Sequence, residues 1–198
     1  MSQTQSAKHA LDGIRVIDFS RIVAGPHCTM CLADLGAEII KVEDIGKGDD
    51  LRSHKPPHIK CDSPYFLSLN RNKRSISIDM REAGGQAVIH DLLTVADVLV
   101  ENFRTGVMEK YAFGYEDLKE CYPNLIYCSI SGYGREGSQA TRAAYDPIVQ
   151  AESGQMASNG TIDSGPMRTG LAVTDTQTGH YAIQGLSLIH ISEPTRPY

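Results

Sequence analysis

Two short β-branched apolar runs, Ile14–Phe19 and Glu38–Val42, stand one helix length apart, and that spacing restricts this chain more than any other feature. Runs of this length with Val and Ile read as buried strands. Between them Arg21–Gly25 reads as a turn, and Pro26 suits the first position of a helix running to about Leu35. Gly36 fits the helix C-terminus, so the unit is strand–helix–strand and favours a right-handed parallel crossover. The alternation then repeats. Arg74–Ile78 reads as a strand, followed by Asp79 and Glu82 in capping-box spacing and a helix carrying Val88, Leu92, Leu93 and Ala96 on one side. Asp97–Glu101 and Leu125–Ile130 read as further strands, with a helical stretch around Tyr115–Cys121 between them. The expectation is an α/β fold: a Rossmann-like, mostly parallel sheet with helices on both faces.

A chain of 198 residues suffices for one domain with a substantial core. A net charge of −5 argues against a general nucleic-acid binder, and the cluster Arg71, Lys73, Arg74 reads as a solvated rim. No apolar run approaches the roughly 20 residues that span a bilayer. The first ten residues carry neither the apolar core of a secretory signal nor the arginines of a mitochondrial transit peptide. The five cysteines read as reduced thiols, and the Cys28–Cys31 pair as small core residues on a helix, with no metal site expected. The polar stretch from Asp44 to about Pro64 exceeds the usual connection length and is either functional or a surface excursion.

In an open parallel sheet, ligands bind beyond the carboxyl ends of the strands. Val23–Ala24, Asn102–Phe103 and Gly132–Tyr133 follow three of the expected strands. Neither a GxGxxG fingerprint nor a phosphate-binding P-loop is present. Asp175 lies in Leu171–Gly179, LAVTDTQTG, among small and hydroxylated residues that leave room for an incoming substrate. A carboxylate there reads as a nucleophile; the plainer reading is a helix cap or a solvated acid.

Six phrases in order, LDGIRVIDFSRIVAGP (Leu11–Pro26), DLGAEIIKVE (Asp34–Glu43), NRNKRSISIDM (Asn70–Met80), DVLVENFRTGVMEK (Asp97–Lys110), IYCSISGYG (Ile126–Gly134) and YDPIVQAESG (Tyr145–Gly154), resemble the class III coenzyme A-transferases, the CaiB/BaiF family. The wording is nearest to members that move coenzyme A from succinyl-CoA to a dicarboxylate such as glutarate. The resemblance implies transfer through an aspartyl anhydride and an aspartyl-CoA thioester, with Asp175 as nucleophile and its carboxylate form favoured by a helix start. It implies coenzyme A contacts from Val23 and Ala24, from Ile78, Asp79, Met80 and Arg81, from Asn102, Phe103 and Arg104, from Lys110, and from Ala143, Ala144, Tyr145 and Asp146. Asp44 and Ala143 depart from basic residues found in formyl-CoA-using members, so some phosphate contacts differ. Arg168 is a candidate partner for the far carboxylate of a diacid. Acyl-CoA and a carboxylic acid are the substrates, with no permanently bound cofactor.

Two alternatives accompany transfer. An α-methylacyl-CoA racemase needs a His–Asp pair of bases, but Tyr145 stands where that histidine falls, and a phenol is a poor general base at neutral pH. The other is a non-catalytic fragment, since the family pairs as interlocked homodimers. On this reading residues 1–10 form a disordered N-terminus, 11–185 the first part of the large domain, and 186–198 a non-native-looking tail. The compartment implied is the mitochondrial matrix or the cytoplasm.

Overall fold

The computed structural model describes residues 9–54, 56–57, 59–60 and 62–191. Five strands, β1 (Arg15–Asp18), β2 (Glu38–Glu43), β3 (Lys73–Ser77), β4 (Val98–Glu101) and β5 (Ile126–Ser129), form one sheet in the order β3-β2-β1-β4-β5. Every pairing is parallel, as the alternation of strand and helix predicts. The helices are α1 (Ala24–Asp34), α2 (Pro64–Leu69), α3 (Ala83–Leu93), α4 (Val107–Lys110), α5 (Tyr115–Leu118), α6 (Asp146–Glu152), α7 (Gln155–Asn159) and α8 (Val173–Ile191). Among the described residues of the long polar stretch after β2, a short 3₁₀ turn at Asp50–Ser53 and α2 are helical. No helix among the described residues is long and apolar enough to cross a membrane.

Alternate residues of the strands feed two cores, one on each face. Val16, Ile39, Val98 and Val100 pack against Ala24, Cys28 and Leu32 of α1 and Leu186 of α8. Ile17, Val42 and Leu99 pack on the other face against Ile89 and Leu93 of α3, Met108 of α4 and Leu118 of α5. The sheet is therefore a middle layer, and the order reverses between β1 and β4. There the chain leaves β1 toward one edge and β4 toward the other, which opens a crevice.

Local boundaries differ from the sequence reading where tertiary contacts take over. Pro26 is the third residue of α1, not the first. Gly36 ends that helix as expected: at φ 106° it adopts the left-handed region, its N–H meets Ala33 O, and Ala37 N–H meets Leu32 O. The Asp79–Glu82 capping box does not form. Glu82 occupies the cap position of α3 without a side-chain bond, and the Asp79 carboxylate binds Arg81 instead. Val88 faces solvent, and Ile89 with Leu93 carries the buried side of α3. The helix α8 runs across residue 185, and Leu186 lies in the core beneath it. The expected disordered N-terminus falls mostly on residues outside those described, as does the end of the expected tail.

Two lysine–aspartate pairs are sealed among β1, β2, β3 and the loop after β2. Lys41 Nζ meets Asp49 Oδ2 at 3.0 Å, and Lys73 Nζ meets Asp18 Oδ2 at 3.2 Å, with all four side chains nearly inaccessible. Burial alone would raise the Asp18 carboxyl; the Lys73 and Lys41 charges and the Ser20 and Thr29 hydroxyls bring it down to about 2. The same groups fix the turn that follows β1. Lys41 donates to Ser20 O, and Asp49 accepts from Ile22 N–H, which holds Ile22 at φ 67°.

The approach of α8 to α1 depends on Gly179. A Cβ there would sit 2.7 Å from Ala24 O and 3.0 Å from the His27 ring, so the two backbones touch where any larger residue would push them apart. Its small size therefore serves helix crossing, in place of the substrate access suggested by the sequence. We expect Gly179→Val to destabilise the protein by about 2 kcal/mol through overpacking. Gly185→Ala in the same helix, where a Cβ meets nothing, is the control and should be neutral or stabilising. Urea-unfolding midpoints of the two variants provide the test.

Candidate active site

At the reversal point a cavity of about 210 Å³ opens between the turn after β1, the turn after β4, the loop after β5 and the start of α8. The turns are tied to each other by one side chain. Asn102 accepts from Arg21 N–H and donates to Arg21 O, both at 2.8 Å, so the ends of β1 and β4 move as a unit. Asn102 is therefore a bridge between the two turns. Val23 and Ala24 border the cavity at the head of α1, where first-turn amides have no partner within the helix.

Asp175 belongs to the first turn of α8 and lines the cavity. Behind it lies Asp146, buried at the first position of α6. One oxygen of Asp146 accepts from Thr174 N–H at 2.8 Å, Asp175 N–H at 3.2 Å and the Thr174 hydroxyl at 2.5 Å. The other accepts from Gln150 Nε2 at 2.5 Å, and Gln150 in turn holds Thr169 N–H on the strand of chain leading into α8. From the head of α6, a single carboxylate thus satisfies amides at the amino end of α8 and fixes the orientation of Asp175. Asp146 does not line the cavity itself; it supports the residue that does.

Burial, and then the Asp146 charge, push the Asp175 carboxyl up to about 6. The sequence reading expected a helix start to favour the carboxylate form. Loss of water and a like charge nearby outweigh the dipole, because both act at closer range on a side chain removed from solvent. At neutral pH the group is still mostly ionised, yet poorly solvated and more basic than a surface aspartate. On α2, the Tyr65 phenol is pushed up by burial and then by the Asp175 and Asp146 carboxylates.

Of the expected contact residues, Val23, Ala24, Asn102, Phe103, Arg104, Ala143, Ala144 and Tyr145 line the cavity with Asp175. Ile78, Asp79, Met80, Arg81 and Lys110 do not. Ile78 and Met80 pack beside Phe103 and Tyr111, so this second group continues outward from the Phe103 wall. The Arg81 guanidinium is engaged by Asp79 through two 2.7 Å bonds, and Lys110 stands over the Tyr111 ring. Arg168 lies outside the cavity. The sequence reading missed Arg21, Arg142, Thr174 and Thr178, all of which line it. Thr174 and Thr178 are in principle visible, one residue before and three after Asp175 and so one helical turn apart. Among the described residues no group of three or more His, Cys, Asp or Glu side chains could hold a metal ion.

The profile of CoA-transferase family III matches residues 11–192. The chain belongs to this family. It is 47% identical over 172 residues to a mouse protein named succinyl-CoA:glutarate CoA-transferase, covering 87% of this chain and 39% of that protein. It is 42% identical over 198 residues to the succinate--glutarate CoA-transferase of Agrobacterium fabrum, covering 96% of this chain and 50% of the relative. Among solved structures, a CAIB/BAIF family protein from Brucella suis superposes with a TM-score of 0.89 at 40% identity, over 93% of this chain and 50% of that one. The chain therefore spans about two fifths to one half of the length of these family III relatives.

The folded-state value of Asp175 lies above its ordinary value of 3.8, so folding disfavours the ionised form. That cost is absent below about pH 4, grows between pH 4 and 6, and is complete above 6. Asp175→Asn should then stabilise the protein by about 1–2 kcal/mol at pH 7.5, after allowance for partial solvent screening, with no gain at pH 3.5. Denaturant titrations at the two pH values provide the test.

Proposed function

We propose that this chain carries the nucleophile-bearing part of a family III coenzyme A-transferase that moves coenzyme A from an acyl-CoA to a free carboxylic acid. The observation that supports it most is Asp175: a poorly solvated, basic carboxylate on the wall of a cavity at the reversal point of a parallel sheet. The names of the relatives favour succinyl-CoA as donor and a dicarboxylate such as glutarate as acceptor.

In this reading a carboxylate oxygen of Asp175 attacks the thioester carbonyl, and the C–S bond breaks to release the coenzyme A thiolate and leave a mixed anhydride. The thiolate attacks the aspartyl carbonyl, and the first acid departs as its carboxylate. The acceptor carboxylate then attacks the aspartyl thioester and expels the thiolate. Attack of the thiolate on the acceptor's acyl carbon restores Asp175. No proton is gained or lost, so a basic, poorly hydrated carboxylate suffices without a general acid. Amides at the head of α1, beside Val23 and Ala24, are suited to stabilise the tetrahedral oxyanions. Shielding from water preserves the anhydride, and the chain length of coenzyme A suits the surface that runs from the cavity past Phe103 toward Met80, Arg81 and Lys110.

A racemase would require a second base at the place of Tyr145, which is half exposed on the cavity wall. The interlocked homodimer expected of the family belongs to the same proposal; exposed Ile148 on α6 and Tyr181 on α8 are apolar surface for such a partner to cover.

In the full-length protein, hydroxylamine added after acyl-CoA should convert Asp175 to a hydroxamate, located by peptide mass spectrometry. Asp175→Ala should lower transfer by at least about 10⁴-fold, the scale of losing a covalent nucleophile. Label on another residue, or undiminished transfer, would sink the reading. Transfer should rise with pH through about 6 as Asp175 ionises. Asp146→Asn, which removes the neighbouring charge but keeps an acceptor for the α8 amides, should move that limb to lower pH.

A further inference from the structure

Three arginines line the cavity, and their surroundings separate them. Arg21 lies over the Phe103 ring at 4.8 Å and reaches Asp50. Arg104 adjoins Phe103 on the side that continues toward Arg81. Arg142 stands on the opposite side, three residues before Tyr145, with its guanidinium on Glu152 and over the Tyr133 ring at 5.1 Å. Tyr133 also donates to the second Glu152 oxygen at 2.6 Å.

Glu152 ends α6, and Asp146, whose carboxylate holds the Asp175 amide, begins it. Arg142 thus shares the cavity with Asp175, its head held at the opposite end of α6 from the carboxylate that holds the Asp175 amide. A guanidinium offers five donors in a planar fork, and only one nitrogen is engaged by Glu152. Both partners are substantially exposed, so the pair is weakly held against exchange with another carboxylate.

We propose that Arg142 receives the far carboxylate of a dicarboxylic acyl group whose near carboxyl reacts at Asp175. Glu152 and Tyr133 hold the guanidinium in place until the substrate displaces Glu152. A diacid keeps one negative charge after its other end becomes a thioester or anhydride, and a fixed cation in the same cavity selects it over a monoacid of equal length. This rests on the transfer reading above, and it assigns the task to Arg142 and not to Arg168, which lies outside the cavity.

The test compares kcat/KM for glutarate and for butyrate as acceptors in the full-length protein, together with calorimetric binding of each acid. Arg142→Met should lower the glutarate-to-butyrate ratio by about 10- to 100-fold, the range for losing a charge-assisted bond. Arg142→Lys should recover part of that loss. Glu152→Gln, which removes the internal competitor, should tighten glutarate binding several-fold. Equal losses for both acids, or weaker glutarate binding in Glu152→Gln, would overturn the assignment. A wild-type protein that binds glutarate but transfers nothing would sink the transfer reading alone. In that case the binding ratio of the Arg142 variants still decides this one.

Discussion

Lys41, Asp49, Lys73 and Asp18 are withdrawn from water among three adjacent strands and the loop after β2, and the cavity wall depends on them. Taking such ions out of solvent is costly, and the interior offsets that cost only because each charge meets an opposite one and further hydrogen bonds. Asp18 also accepts from Ser20 and Thr29, and Asp49 from the amides of Ile22 and Leu51. The bonds reach from the sheet into the turn after β1, which is why a β-branched residue can be held in the left-handed region at Ile22. Removing any one partner would strand a buried charge and loosen the head of α1. The ion pairs act less as a source of stability than as the reason this turn has one shape.

The layered architecture was legible because it rests on local signals that agree with one another. Strand lengths, β-branched content, and a left-handed glycine after α1 all report on the backbone within a few residues. The misreadings come from competing side chains and from how helices meet the sheet. The Asp79–Glu82 spacing fits a capping box, but Arg81 is closer to Asp79 in space and carries a full charge, so it captures the carboxylate. Val88 has the apolar character of a core residue, yet the face of α3 is set by how Ile89 and Leu93 meet the sheet.

The site was legible in outline and not in mechanism. Asp175 stood out by the small residues around it and by the family phrases, and eight of the expected contacts surround the same cavity. What the sequence did not reveal was the agent that tunes it. Asp146 lies 29 positions earlier and is expected from the resemblance as a coenzyme A contact; only folding brings its carboxylate beneath the amide of Asp175. Arg142 was silent for a similar reason, since a lone arginine in a polar loop carries no periodic or spacing signal.

A helix that receives its amino-terminal cap from another helix has a consequence for maturation. Before α6 and α8 dock, Asp175 belongs to a loose segment open to water and has the acidity of any dissolved aspartate. The unusual basicity arises in the same event that closes the tertiary contact. A nascent or partly unfolded copy therefore lacks the raised basicity on which the proposed chemistry rests, and acquires it only on passing its own folding checkpoint.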